Sequence, residues 1–221
     1  MLFANVATFA EPEGARFLGA AVEEAGIESV WTVEHVVVPA GYQSAYPYSS
    51  SGRMPGPENS PIPDPLIWLA HLAGLTSTVK LATGITILPQ RNPLVTAKEV
   101  ATLDRLSGGR VLLGVGAGWL REEFEAIGVP FERRGDRLDE HIEAMRALWR
   151  DEKASYDGEF VQFSNCISSP RPDGGAVPIH VGGHTDRAAK RAGRLGDGFF
   201  PGVGKLERLA GLLATMRTAA D

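Results

Sequence analysis

A glutamate and a histidine stand side by side after a short apolar run, and this pair is the part of the sequence best suited to moving a proton. Residues 29–33 predict a buried strand, and Glu34 and His35 follow at its carboxyl end. An imidazole titrates near neutral pH, so His35 can donate or accept a proton under ordinary conditions. On the residues alone, a histidine that makes only a structural hydrogen bond is the alternative interpretation.

Three glycines occupy alternate positions at the end of a second apolar run, 110–115; they are Gly114, Gly116 and Gly118. Glycines at the end of a strand let a loop approach a ligand closely and adopt positive φ angles. The spacing differs from the dinucleotide-binding fingerprint, which would require glycine where this chain has Trp119. No Gly-Lys-Ser/Thr sequence follows, so a phosphate-binding P-loop is also excluded. A ligand-binding loop and a plain tight turn both remain open.

A further glycine-rich stretch, 182–185, follows the apolar run at 178–181 and precedes a predicted helix. A helix N-terminus presents unpaired N–H groups and binds anions such as phosphate. His180 and His184 are four positions apart, but two glycines lie between them, so they do not share a helical face as the ligands of zinc proteases do. We therefore expect no metal site.

Length, composition and charge set limits on the class of protein. The chain has 221 residues, of which 43% are hydrophobic and 22% charged, an ordinary balance for a single globular domain over 1–221. Its net charge of −5 argues against a nucleic-acid partner, because nucleic-acid-binding surfaces are basic. No apolar run approaches the roughly 18 residues of a membrane-spanning helix, so we expect no membrane partner. The single cysteine, Cys166, excludes an internal disulfide and fits a cytoplasmic location.

Strand-like and helix-like segments alternate six times, which predicts a parallel sheet with right-handed crossovers. Both a doubly wound sheet and a (β/α)8 barrel fit this alternation. We expect the barrel, because polar, glycine-rich or long segments follow strands two to five, and barrels carry their sites on the carboxyl-terminal rim. Residues 36–63 predict a lid loop, with a disordered surface loop as the alternative, and 152–177 predict a hairpin excursion around Asp157-Gly158. The predicted strands are 2–8, 29–33, 79–88, 110–115, 178–181 and 198–201.

Several of these segments together resemble one known family. The run 96–110, continuing into 114–119, closely resembles the bacterial luciferase-like monooxygenase family. Further matches, in family order, are 29–31 leading to 34–35, the segment 82–85, and 178–183 leading to 196–198. Within the family, the pattern is most similar to the branch that uses the deazaflavin F420 instead of FMN. The resemblance implies an α/β chain of the (β/α)8 TIM-barrel type that ends here after its sixth βα unit, with the last two units absent.

The resemblance also implies roles for particular residues. His35 would face the cofactor ring and act as proton donor or acceptor, while Glu34 would set its charge or bind substrate. A bulge at Thr83, Gly84 and Ile85 would lie behind the ring, with a cis peptide bond between Gly84 and Ile85 and a trans bulge as the alternative. Further cofactor contacts, to the ring pocket and through N–H groups to the phosphate-bearing tail, would come from Asn5, from Gly116, Ala117, Gly118 and Trp119, and from Gly182, Gly183, His184 and Thr185.

The resemblance predicts an oxidoreductase that uses F420 to transfer a hydride to or from a small organic substrate. One alternative is a monooxygenase that uses reduced FMN and oxygen. The other is a catalytically silent family member that binds a flavin. Family members are often dimers, so we also expect a homodimer. The residues themselves name no substrate.

Overall fold

The computed structural model describes residues 2–3, 11–202 and 205–220, and its centre is a parallel β-sheet. The strands within these ranges are β1 (Leu2–Phe3), β2 (Ser29–Thr32), β3 (Lys80–Thr83), β4 (Thr86–Ile87), β5 (Val111–Gly116), β6 (Ala154–Asp157), β7 (Gln162–Cys166), β8 (Ile179–Gly183) and β9 (Gly198–Pro201). Six of them form one parallel sheet in the order β1-β2-β3-β5-β8-β9, and β4 also pairs with β5.

This strand order separates the two folds that the alternation left open. A doubly wound sheet reverses its strand order at a switch point, whereas a barrel adds each new strand to the same growing edge. Here every strand of the main path follows the previous one in the chain. The α/β fold with a curled parallel sheet is therefore confirmed. Of the first predicted strand, residues 4–8 lie outside the described ranges.

The α-helices of the described ranges connect successive strands, except for the last, which follows β9; they are α1 (Pro12–Glu24), α2 (Pro65–Ala73), α3 (Pro93–Ser107), α4 (Arg121–Ala126), α5 (Arg134–Arg150), α6 (Asp186–Leu195) and α7 (Leu206–Ala220). Local capping sets several of their starts. The Asp64 carboxylate accepts hydrogen bonds from the N–H groups of Leu66 and Ile67, at 2.9 and 3.0 Å, at the start of α2. The Asn92 side chain caps α3 in the same way, and each cap is followed by proline.

The predicted hairpin excursion is present, but its turn is longer than expected. Strands β6 and β7 pair antiparallel with Asp157 opposite Gln162, so residues 158–161 form the loop. The carboxylate of Glu140, on α5, accepts hydrogen bonds from the N–H groups of residues 159–161 at 2.7–3.2 Å. Those N–H groups are therefore unavailable to the strand ladder, and the turn cannot close at Asp157-Gly158.

A buried apolar core between sheet and helices holds the strand ends in place. Leu81 of β3, Leu113 of β5 and Val181 of β8 are fully buried, as are Leu69 of α2 and Ile142 of α5. Close packing of this kind makes the rim formed by the strand ends a rigid platform. In the part of the chain that the structure describes, no helix is long and apolar enough to cross a membrane.

Candidate active site

Two adjoining cavities open where the carboxyl ends of the parallel strands meet. Their volumes are about 820 Å³ and about 480 Å³. The residues that line both are Val33, His35, Tyr46, Tyr48, Gly84, Ile85, Gly182 and Gly183. The sequence-predicted residues that line only the smaller cavity are Glu34, Ala117, Gly118, Trp119, His184 and Thr185. The structure thus brings most of the predicted site residues to one place. Asn5 lies outside the described residues.

His35 lies in the wall that the two cavities share, and its direct partner is a glutamate that the sequence did not single out. Its Nδ1 is 3.0 Å from Oε2 of Glu123, on α4. The Glu123 side chain is 1% exposed, and its Oε1 accepts hydrogen bonds from the N–H groups of Val36 at 2.6 Å and Val37 at 3.3 Å. The indole ring of Trp119 stands edge-on to the imidazole, with 6.0 Å between ring centroids.

Glu34 makes different contacts from those implied by its position next to His35. Its buried carboxylate accepts hydrogen bonds from the Ile87 N–H and from the Arg91 guanidinium, with 2.7 Å to Nε. Burial raises the pKa of the Glu34 carboxyl, while the positive charge of Arg91 opposes that rise. Arg91 also bonds Asp64 at 2.6 Å, which ties the end of β2 to the start of α2. The carboxylate in hydrogen-bond contact with His35 is therefore that of Glu123.

The bulge at residues 83–85, at the end of β3, has the backbone conformation that the resemblance implied. Two residues predicted to contact the cofactor, Thr83 and Gly116, do not line the cavities. The Gly84–Ile85 peptide bond is cis, as the resemblance implied. A β-carbon on Gly116 would lie 1.8 Å from Cδ1 of Ile85, so this glycine makes room for the bulge instead of facing the cavities. Thr83 is buried and donates its hydroxyl to the Gly114 carbonyl oxygen at 2.6 Å. Thr83 and Gly116 therefore support the site from behind.

The smaller cavity has a positively charged end. The stretch 182–185 leads into α6, and Thr185 caps that helix by accepting a hydrogen bond from the Ala188 N–H at 3.2 Å. Two arginines that were not among the predicted site residues also line this cavity, Arg134 and Arg191. Arg191 is paired with Asp139, whereas Arg134 contacts the Gly118 carbonyl oxygen at 3.0 Å and the Phe131 ring. The helix N-terminus and Arg134 together can bind an anionic group.

The segment 36–63 passes over the cavities without forming a helix or strand. Its Tyr42 is buried, and Tyr42 and Tyr46 both pack against Trp119, with centroid distances of 5.5 and 5.2 Å. The carboxylate of Glu122 anchors the segment by accepting hydrogen bonds from the N–H groups of residues 43 and 44 at 2.7 and 3.0 Å. Burial raises the pKa of Tyr46 and of Tyr48, so both present neutral hydroxyl groups to the cavities.

The chain is similar in sequence and in structure to known proteins. Residues 5–221 match the luciferase-like monooxygenase family. An uncharacterised protein of Mycobacterium tuberculosis is 38% identical over 80% of this chain. An F420-dependent glucose-6-phosphate dehydrogenase of Kineococcus radiotolerans is 33% identical over 83% of it. The crystal structure of the monooxygenase RslO1 from Streptomyces bottropensis superposes with a TM-score of 0.78, at 30% identity over 95% of the chain.

These relatives are longer than this chain. The matched residues span 64% of the mycobacterial protein and 50% of the dehydrogenase. They span 59% of the monooxygenase.

Proposed function

The chain belongs to the luciferase-like monooxygenase family, and from that premise we propose that it is an oxidoreductase that transfers a hydride between F420 and a small organic substrate. In this proposal His35 is the proton donor and acceptor. The observation that carries it is the position of His35 in the wall shared by two cavities of different character. The similarity to an F420-dependent dehydrogenase supports the choice of cofactor.

The smaller cavity fits a flavin-type cofactor. The side chains of Val33 and Ile85 give it an apolar wall for a planar ring. Arg134 and the N-terminus of α6 give it a positive end for a phosphate group. Gly182 and Gly183 lie between these two parts, and a β-carbon on either would meet a neighbouring side chain at 2.8 Å or less. Because F420 and FMN both combine a planar ring system with a phosphate, this fit applies to either cofactor.

The larger cavity is the proposed place of the substrate. When bound, F420 supplies a ring carbon that accepts or releases a hydride. His35 holds the substrate oxygen, accepts its proton when a hydroxyl is oxidised, and returns that proton when a carbonyl is reduced. The segment 36–63, through Tyr46 and Tyr48, covers both cavities and limits the access of water to the reacting groups.

Turnover of His35 variants tests this assignment. With F420 and a panel of alcohols and aldehydes, we expect His35→Gln to lower kcat by about 10²–10⁴-fold, the usual contribution of a positioned acid or base. Cofactor affinity should stay within a factor of about three, since the phosphate contacts are untouched. His71→Gln is the control, because His71 is exposed on α2. Full turnover in His35→Gln would refute the assignment.

The second candidate is a monooxygenase that uses reduced FMN and oxygen. The similarity to the monooxygenase RslO1 at 30% identity supports it. Oxygen uptake separates the two functions, because the carbon that replaces flavin N5 makes F420 poorly reactive with oxygen. Uptake coupled to oxidation of reduced FMN and of a substrate would favour the monooxygenase. Binding of either cofactor without turnover would favour the catalytically silent member.

We also propose that the protein works as a homodimer in the cytoplasm. Apolar side chains are exposed on three neighbouring helices, at Phe17 of α1, Ile67 of α2 and Leu106 of α3. Helices α1, α2 and α3 are in contact with one another in sequence order, so these exposed side chains lie on one side of the molecule, where a second copy of the chain could cover them. Size-exclusion chromatography with light scattering tests the dimer, and a single species of monomer mass at micromolar concentration would contradict it.

A further inference from the structure

The carboxylate of Glu123 joins the proposed catalytic histidine to the start of the loop above it. Its Oε2 lies 3.0 Å from Nδ1 of His35, and its Oε1 accepts the N–H groups of Val36 and Val37. We propose that Glu123 is a positioning residue: it fixes the ring tautomer of His35, and it does so while the first residues of the segment 36–63 are docked on the same carboxylate. This inference rests on the function proposed above for His35.

The tautomer follows from the chemistry of the two partners. An ionised carboxylate has no proton to donate, so the imidazole nitrogen that bonds to it must carry one. His35 therefore donates Nδ1–H to Glu123, and Nε2 is left as the nitrogen that can accept a proton from substrate. A fixed orientation of this kind is what a carboxylate contributes beside a catalytic histidine in other enzymes. Without it, the neutral ring could present either nitrogen.

The loop helps to hold the Glu123 carboxylate in place because that carboxylate is buried. A carboxylate that is 1% exposed requires hydrogen-bond donors in place of water. Among the described residues, its donors are the imidazole and the two N–H groups at the start of the loop. If those residues undock, two of the three bonds are lost, water reaches the carboxylate, and the imidazole loses its fixed partner. The Nδ1–H tautomer of His35 is thus held in place while the segment 36–63 covers the cavities.

The neighbouring glutamates provide the contrast that the test needs. Glu34 is adjacent to His35 in sequence, but its carboxylate is occupied by Arg91 and the Ile87 N–H. Glu122 anchors the same loop through the N–H groups of residues 43 and 44. It therefore shares the anchoring role of Glu123, while the imidazole bond belongs to Glu123. Glu122→Gln is accordingly the matched control for Glu123→Gln.

Nitrogen-15 NMR of the histidine side chains, recorded without cofactor at alkaline pH, reads the tautomer directly, with His35→Gln to assign the signal. We expect Nδ1–H in the wild type. In Glu123→Gln the amide oxygen must still accept the N–H groups of Val36 and Val37, so the amide NH2 faces the ring. Two donors cannot face each other, and His35 should switch to Nε2–H. Glu122→Gln should keep Nδ1–H.

Kinetics give the second readout. We expect Glu123→Gln to lower kcat by about 100-fold or more with little change in KM, as for an amide that replaces the carboxylate beside a catalytic histidine. Glu122→Gln should mainly raise KM, because its neutral amide oxygen accepts the N–H groups of residues 43 and 44 more weakly than the carboxylate does, and the imidazole bond is untouched. An Nε2–H tautomer in the wild type, or Nδ1–H retained in Glu123→Gln, would overturn the proposal. The wild-type spectrum decides this even if Glu123→Gln does not fold. Expected spectra with no turnover by the wild type would instead refute the proposed function.

Discussion

Replacing Gly114 by alanine should destabilise the protein and displace the bulge that supports both cavities. Gly114 lies in the middle of β5, paired with His180 of β8. An added β-carbon would lie 1.8 Å from the carbonyl oxygen of Thr83, about 1 Å inside the closest approach that real β-carbons show. The obstructing atom is backbone, so no side-chain rotation relieves the contact. Either β5 or the backbone before Gly84 must move.

The size of the effect is the difference between two opposing contributions. Overpacking a well-packed site costs roughly 1–3 kcal/mol, and a contact with backbone belongs at the upper end of that range. Replacing glycine by alanine also raises the free energy of unfolding by roughly 0.4–1 kcal/mol, because alanine leaves the unfolded chain fewer conformations. The expected net loss of unfolding free energy is therefore about 2 kcal/mol. For a chain of this length that corresponds to a fall in Tm of roughly 4–8 °C.

Urea and thermal unfolding of Gly114→Ala test this estimate against Gly211→Ala. Gly211 is exposed on α7, and a β-carbon there would meet nothing within 4 Å. Its replacement should raise stability by roughly 0.5–1 kcal/mol, the helix preference for alanine. Because the bulge lines both cavities, Gly114→Ala should also weaken binding of the cofactor that the protein uses. A Gly114→Ala protein as stable as Gly211→Ala would refute the packing argument.

Three further predictions concern charge. Arg134→Gln should weaken cofactor binding about tenfold, the loss of one charge-assisted contact to phosphate, as measured by titration; unchanged affinity would remove Arg134 from the phosphate site. Burial lowers the pKa of His141 to about 4, so between pH 6.5 and pH 4 the unfolded state binds a proton that the folded state does not. The free energy of unfolding should therefore fall, by up to about 3 kcal/mol, as the pH drops through this range. Urea unfolding at several pH values should show this slope, and His141→Gln should flatten it; an equal slope in the variant would contradict the assignment. Hydrogen bonds from the N–H groups of residues 77–79 lower the pKa of Glu23 to about 2, so its contribution is present above pH 4.5 and lost as pH falls toward 2. Glu23→Gln should cost about 1–2 kcal/mol at pH 7 and close to nothing at pH 2, and an equal loss at both would point to packing instead.

The parts of the fold that local sequence determines could be predicted, and those set by distant side chains could not. The Asp64-Pro65 and Asn92-Pro93 pairs predict the starts of two helices, because a capping side chain bonds to N–H groups only two and three residues further on. The turn of the β6–β7 hairpin depends on Glu140, which reaches it from another element. No local signal in 154–166 contains that information.

The same distinction holds for the candidate site. His35 was recognisable by its residue type at a strand end, and the cis peptide bond at Gly84–Ile85 was expected only through the family resemblance. Glu123 stands 88 positions from His35 in an acidic helical stretch, where sequence cannot show which carboxylate turns inward. Arg134 was hidden in the same way, in a charged segment that reads as a solvated helix face. Only the fold brings these groups to the rim.

Side-by-side titration of the purified chain with F420 and with FMN tests the central claim most directly. We expect saturable F420 binding, at least about tenfold tighter than FMN binding. Tighter binding of FMN would contradict the proposed function and favour the monooxygenase. Binding of neither cofactor would contradict the assignment of the smaller cavity, including the anion site at Arg134 and the N-terminus of α6.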